Sequence, residues 1–132
     1  MKALDTNILV RFLTKDNQQQ AALVYKLFTK AETQQKVLFV PLLVVLETIW
    51  VLQSIYEISD KEILSAMSEL LLMPILEFEA QPAIQYFITS AKETRLDLAD
   101  ILIAQSARLS GCERVITFDR RATRFEYFEI LN

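Results

Sequence analysis

Short apolar runs of strand length alternate along this chain with longer stretches of helical periodicity, and that alternation leaves few folds open. Val37-Leu38-Phe39-Val40 stops at Pro41, and Val115-Ile116-Thr117-Phe118 stops at Asp119. Lys2-Ala3-Leu4, Pro74-Ile75-Leu76-Glu77-Phe78 and Tyr127-Phe128-Glu129-Ile130-Leu131 supply three more extended pieces. Runs apolar on consecutive residues predict strands covered on both faces, which is the habit of parallel sheets. Between the runs, apolar residues recur at helical spacing: Ala21, Val24, Leu27, Phe28 and Ala31; Ile63, Ala66, Met67, Leu70 and Leu71; Ala83, Ile84, Phe87, Ile88 and Ala91. A short helix is predicted over Ile8–Leu13 after a turn at Thr6-Asn7, and a helix apolar nearly all round over Leu42–Tyr56. Parallel strands need crossover connections, and helices of these lengths provide them. The expectation is an α/β fold with a mainly parallel sheet, in one domain spanning residues 1–132.

The punctuation agrees with that reading. Asp16-Asn17 and Ser59-Asp60 have the composition of helix starts, Pro41 suits a first helical turn, and Gly111 marks a helix end. No apolar run reaches the length of a membrane span, and Met1–Asp5 carries no secretory leader, so no membrane association is expected. The one cysteine, Cys112, excludes an internal disulfide; a reducing compartment, the cytoplasm, follows as the default, and Cys112 is expected to be a small packing residue. Apolar residues form 52% of the chain, enough to suggest apolar surface held against a partner.

Histidine is absent. That removes imidazole acid–base chemistry, Ser-His-Asp triads and the usual zinc ligand sets. The net charge of −3 gives no bulk attraction for nucleic acid, so such binding needs a local basic patch or a metal bridge. Chemistry must then rest on carboxylates, lysine, hydroxyls or a hard metal, and four carboxylates stand in unusual places. Asp5 and Asp119 each follow a predicted strand, where ligands bind in open parallel sheets. Glu47 lies within the apolar helix. Asp100 lies in the first turn of the helix Arg95–Ala107, three residues after Asp97, which takes the N-cap place. Brought together, such acids repel, and a divalent cation relieves the repulsion; oxygen ligands favour Mg²⁺ or Mn²⁺ over zinc. Each acid also has a plainer reading: Asp5 and Asp119 as caps of a helix and a turn, Asp97 with Asp100 as a variant capping box, Glu47 as a solvated position. Arg120, Arg121 and Arg124 beside Asp119 are candidate phosphate contacts or a solvated basic turn.

Four pieces of the sequence together resemble the PIN-domain ribonucleases, and most closely the VapC-type toxins of toxin–antitoxin pairs. They are Leu4-Asp5-Thr6-Asn7, Glu47 in the helix after Pro41, Asp97-Leu98-Ala99-Asp100 leading into Ile101-Leu102-Ile103-Ala104, and Thr117-Phe118-Asp119-Arg120-Arg121-Ala122. The resemblance spans the whole chain in order. It implies a three-layer α/β/α sandwich and an acidic quartet, Asp5, Glu47, Asp100 and Asp119, that is both catalytic and metal-binding, holding Mg²⁺ or Mn²⁺. It further implies supporting places for Thr6, Thr117 and Asp97, with Asp97 mainly capping the helix. RNA as substrate, a homodimer and a small antitoxin protein are implied partners. Arg124-Phe125-Glu126-Tyr127-Phe128 departs from the pattern, having no Gly or Pro turn before the last strand. Two other functions are compatible with the fold: a phosphatase or phosphotransferase using Asp5 as nucleophile, and a non-catalytic binding module. The first is disfavoured because Asn7 stands where such sites place a second acid. Trp50 and Tyr56, in the most apolar part of the chain, are candidate interface anchors.

Overall fold

A computed structural model describes all 132 residues. The chain divides into two compact units, Met1–Glu79 and Ala80–Asn132.

The first unit alternates strand and helix twice. Its elements are β1 (Lys2–Ala3), α1 (Thr6–Thr14), α2 (Gln18–Thr33), β2 (Leu38–Val40), α3 (Leu42–Ser54), α4 (Asp60–Leu71) and β3 (Leu76–Phe78). The strands form one sheet in the order β1-β2-β3, with both pairings parallel. Lys2 pairs with Leu38, and Leu38 with Leu76. The consecutive apolar residues of β2 thus lie in the middle strand, where Leu38 and Val40 are buried. Helix starts are set by local side chains. The Asp5 carboxylate accepts from Thr6 N at 2.8 Å, Asn17 Oδ1 from Gln20 N at 3.0 Å, and Ser59 Oγ from Glu62 N at 3.3 Å. Each cap contributes about 1 kcal/mol by satisfying an amide that the helix itself leaves free. Because Asp5 caps it, α1 begins at Thr6, and Thr6-Asn7 is helix rather than the expected turn. Pro41 occupies the N-cap of α3 rather than its first turn.

α1 packs on α2 and α3, α3 on α4, and α4 on β3. The core of this unit includes Leu9, Val10, Phe28, Val45, Ile49, Leu52, Ile63, Met67 and Leu70. Burying each large side chain is worth about 1.5–3 kcal/mol. α3 is apolar nearly all round, yet only one face is buried, through Val45, Thr48, Ile49 and Leu52. Thr48 is satisfied inside its own helix by donating to Val44 O at 2.7 Å.

The second unit holds α5 (Gln81–Glu93), α6 (Leu98–Leu109), β4 (Val115–Thr117), a 3₁₀ turn (Ala122–Arg124) and β5 (Phe128–Ile130). β4 and β5 are parallel, pairing Val115 with Phe128 and Thr117 with Ile130. α5 and α6 pack closely, with small Ala83, Ala91 and Ala104 beside Ile84, Phe87, Ile101 and Leu102 in the core. Gly111, at φ +92, gives α6 the left-handed exit that the sequence predicted. Cys112, just after it, is exposed rather than packed, because the turn carries it off the helix face. The Arg108 guanidinium lies 5.1 Å from the ring centroids of both Tyr86 and Tyr127, bridging α5 to the lead-in of β5. That lead-in turns without Gly or Pro. The 3₁₀ turn, a Phe128 N to Phe125 O bond of 3.0 Å and a T-shaped Phe125–Tyr127 pair close it instead. Every strand pairing is parallel and the crossovers of the first unit are helical, as the alternation predicted, while β4 and β5 are joined through the 3₁₀ turn. No helix is long and apolar enough to cross a membrane.

Candidate active site

The acids fall into two groups, one in each unit. In the first, Asp5 stands two residues beyond the end of β1, where its backbone turns from strand to helix and its carboxylate caps α1. Capping occupies one carboxylate oxygen and holds the group in one orientation, so the plainer reading of Asp5 and a ligand role are compatible. Thr6 follows, nearly buried at 5% exposure, and its hydroxyl donates to Glu47 Oε1. That bond joins the first turn of α1 to the middle of α3. Glu47 is exposed, on the side of α3 that also presents Leu43 and Trp50, rather than enclosed within the apolar helix. Helix packing turned Val45, Thr48 and Ile49 inward and left this carboxylate at the surface, with a hydroxyl as its protein partner.

In the second unit, Asp97, Asp100 and Asp119 share one neighbourhood. Asp97 takes the N-cap place of α6, but its side chain makes no capping bond. The expected capping role is therefore absent. Its carboxylate acts on Asp100 instead: burial first, then the charges of Asp97 and Asp119, push the Asp100 carboxyl above its ordinary value. Asp119 follows β4. Its amide donates to Thr117 Oγ1 at 3.0 Å, and its Oδ1 accepts from Arg121 N at 2.9 Å. The first bond fixes the backbone that carries Asp119, and the second is the turn cap expected of Asp119.

None of these acids has a cationic partner. The chain's ion pair, Arg11–Asp16 at 3.2 Å, lies elsewhere in the first unit, where Tyr56 Oη donates to Asp16 Oδ2 at 2.7 Å. Tyr56, expected to be an interface anchor, is thereby tied into its own unit. Neither unit by itself gathers three or more His, Cys, Asp or Glu side chains into a cluster that could hold a metal ion. The donor chemistry is nonetheless that of a hard cation: carboxylate and hydroxyl oxygens, with no sulfur or imidazole.

Arg120, Arg121 and Arg124 are all exposed. Two features beside them escaped the sequence reading. Arg95 joins Arg124 in lining a cavity of about 250 Å³ together with Glu93, Thr94 and Leu96. The Thr94 hydroxyl is buried with no hydrogen-bond partner. Arg95 stands 29 residues before Arg124 in the sequence, so only the fold could associate them. The second is Phe118, which the apolar run predicts as the end of a strand but which lies just past β4 and is exposed.

Comparison with known proteins agrees with the family resemblance. A VapC ribonuclease of Aquifex aeolicus (strain VF5) is 26% identical over 121 residues, covering 92% of this chain and 89% of that protein. The sequence profile of the PIN domain matches residues 2–126, nearly the whole chain, and with the parallel α/β architecture this places the protein in the PIN domain family.

Proposed function

We propose that this protein is an endoribonuclease that uses Mg²⁺ or Mn²⁺ to hydrolyse RNA phosphodiester bonds, and that it is the toxin of a toxin–antitoxin pair. The observation that carries the reading is a set of acids in family order, Asp5, Glu47, Asp100 and Asp119, none with a basic side chain to neutralise it. A carboxylate pressed by burial and by two neighbouring acids, as Asp100 is, lacks a positive charge, and a hard cation supplies one. The four acids are the metal ligands and catalytic groups in this reading. When bound, the ion supplies a water of lowered pKa and neutralises charge on the scissile phosphate.

The chain's own residues do the rest. The Thr6 hydroxyl orients Glu47, and Thr117 holds the Asp119 turn. Asp97, free of a capping bond, keeps negative potential on Asp100. One carboxylate of the four would accept the proton of the attacking water or orient that water. Arg120, Arg121 and Arg124, with Arg95, contact substrate phosphates. They offset the repulsion between an acidic site and a polyanion. A second copy of the chain and a small antitoxin protein are the inferred partners, and the cytoplasm the inferred compartment. Exposed Leu43 and Trp50 on α3 and Leu72 after α4 are the apolar surface that a dimer contact or an antitoxin helix would cover. Light scattering on the protein alone and after co-expression with the adjacent small gene tests these partners.

The decisive experiment is cleavage of single-stranded RNA by the wild type with Mg²⁺, with Mn²⁺ and with EDTA, beside Asp5→Asn and Asp100→Asn. Cleavage is expected only with metal and only in the wild type. Full activity in EDTA refutes the mechanism. Metal binding without cleavage of any RNA assigns the protein to the non-catalytic class.

A further inference from the structure

We propose that Phe118 is a stacking platform for a base of single-stranded RNA on the nucleotide next to the scissile phosphate; the proposal rests on the ribonuclease reading above. Phe118 is 80% exposed, immediately before Asp119. Single exposed apolar residues are common and need no explanation by themselves. Three features set this one apart.

The first is its support. The bond from Asp119 N to Thr117 Oγ1 brackets Phe118, and the bond from Arg121 N to Asp119 Oδ1 closes the next turn. The backbone beneath the ring is therefore held by two side-chain bonds, so little conformational entropy is lost when a base settles on it. The second is its surroundings. Arg120, Arg121 and Arg124 follow within six residues, all exposed and none ion-paired. Rings that take bases, interleaved with guanidinium groups that take phosphates, are the physical requirement for holding a single strand. The third is continuity. Phe118 and Asp119 are consecutive, with Cα atoms about 3.8 Å apart, so the ring and the carboxylate leave the backbone at neighbouring positions. Ile116, two residues back and also exposed, extends the apolar surface along β4. An acidic site repels the strand it must cut, and stacking adds attraction that charge does not oppose.

The test is equilibrium binding of a fluorescein-labelled, unstructured oligoribonucleotide by fluorescence anisotropy. It is done in an Asp100→Asn background, so that the RNA stays intact whatever the wild type does. Phe118→Ala and Phe118→Leu are expected to weaken binding about tenfold, from the typical worth of one base–aromatic stack. Phe118→Trp is expected to retain or tighten it, and all three to melt with the parent because the ring is exposed. Leucine keeps apolar area without a π face, so equal affinity for Phe and Leu overturns stacking. Equal affinity for Phe, Ala and Leu overturns any RNA contact, and a change of oligomeric state with unchanged affinity reassigns the ring to a protein interface. The companion assay is wild-type cleavage in Mn²⁺. Cleavage with an unmoved anisotropy series sinks the platform and spares the nuclease. No cleavage, with affinity still falling for Ala and Leu, keeps the platform and sinks the nuclease.

Discussion

Replacing Thr6 by valine removes one hydroxyl and nothing else of consequence. Valine matches threonine in shape, the site is 5% exposed, and the Asp5 cap on Thr6 N uses backbone that the change leaves in place. What is lost is the donor to Glu47 Oε1. A hydrogen bond to a charged group contributes about 1.5–3 kcal/mol when well formed. Glu47 is exposed and recovers water once the hydroxyl is gone, so the loss falls below that range, at about 1 kcal/mol. With unfolding entropy scaling with chain length, this corresponds to about 4 °C in Tm. The assay is a double-mutant cycle of Thr6→Val and Glu47→Gln by urea and thermal unfolding in EDTA. The coupling between the two changes should be about 1 kcal/mol. Additivity within about 0.3 kcal/mol refutes the claim that these side chains act as a pair. The same substitution should weaken Mn²⁺ binding, since a freely rotating Glu47 is a poorer ligand.

Asp100→Asn should raise the metal-free melting temperature at neutral pH. The Asp100 pKa is raised in the fold, so its ionised form destabilises the native state. The gain should be full above the raised pKa, shrink as pH falls through it, and vanish below the ordinary 3.8, where the carboxyl is protonated folded or unfolded. Equal melting temperatures at pH 7 would count against the crowding of these acids. Tyr56→Phe should weaken the protein on the acid side. The Tyr56 hydroxyl, then that of Thr14, hold Asp16 below its ordinary 3.8 against an opposing effect of desolvation, with Arg11 adding a smaller pull downward. That stability is present above 3.8 and lost as pH falls through the folded pKa, so the variant's acid-unfolding midpoint should shift upward. A midpoint equal to the wild type's would remove Tyr56 from the network.

Local signals were legible in the sequence because nearest neighbours in the chain set them. Caps at Asp5, Asn17 and Ser59 and the exit at Gly111 depend on a few consecutive residues, and the consecutive apolar residues of Leu38–Val40 need cover on both faces wherever they lie. The parallel α/β class followed from their alternation with helices. The order of four acids along the chain was equally readable, and the family with it. Other features depended on which face of each helix turned inward. α3 carries apolar residues nearly all round, so its pattern selects no face; packing buried Val45 and Ile49 and thereby put Glu47 in solvent against Thr6, 41 residues away. Asp97 looked like a cap because cap preference is local, but the carboxylate makes no such bond and bears on Asp100. The cavity shared by Arg95 and Arg124, the Arg11–Asp16–Tyr56 network and the bare ring of Phe118 likewise arise from residues distant in sequence or from what fails to cover them. Sequence periodicity specifies which elements form; the pairing of side chains across them is decided only when apolar faces compete for one core and the polar groups take the positions left over.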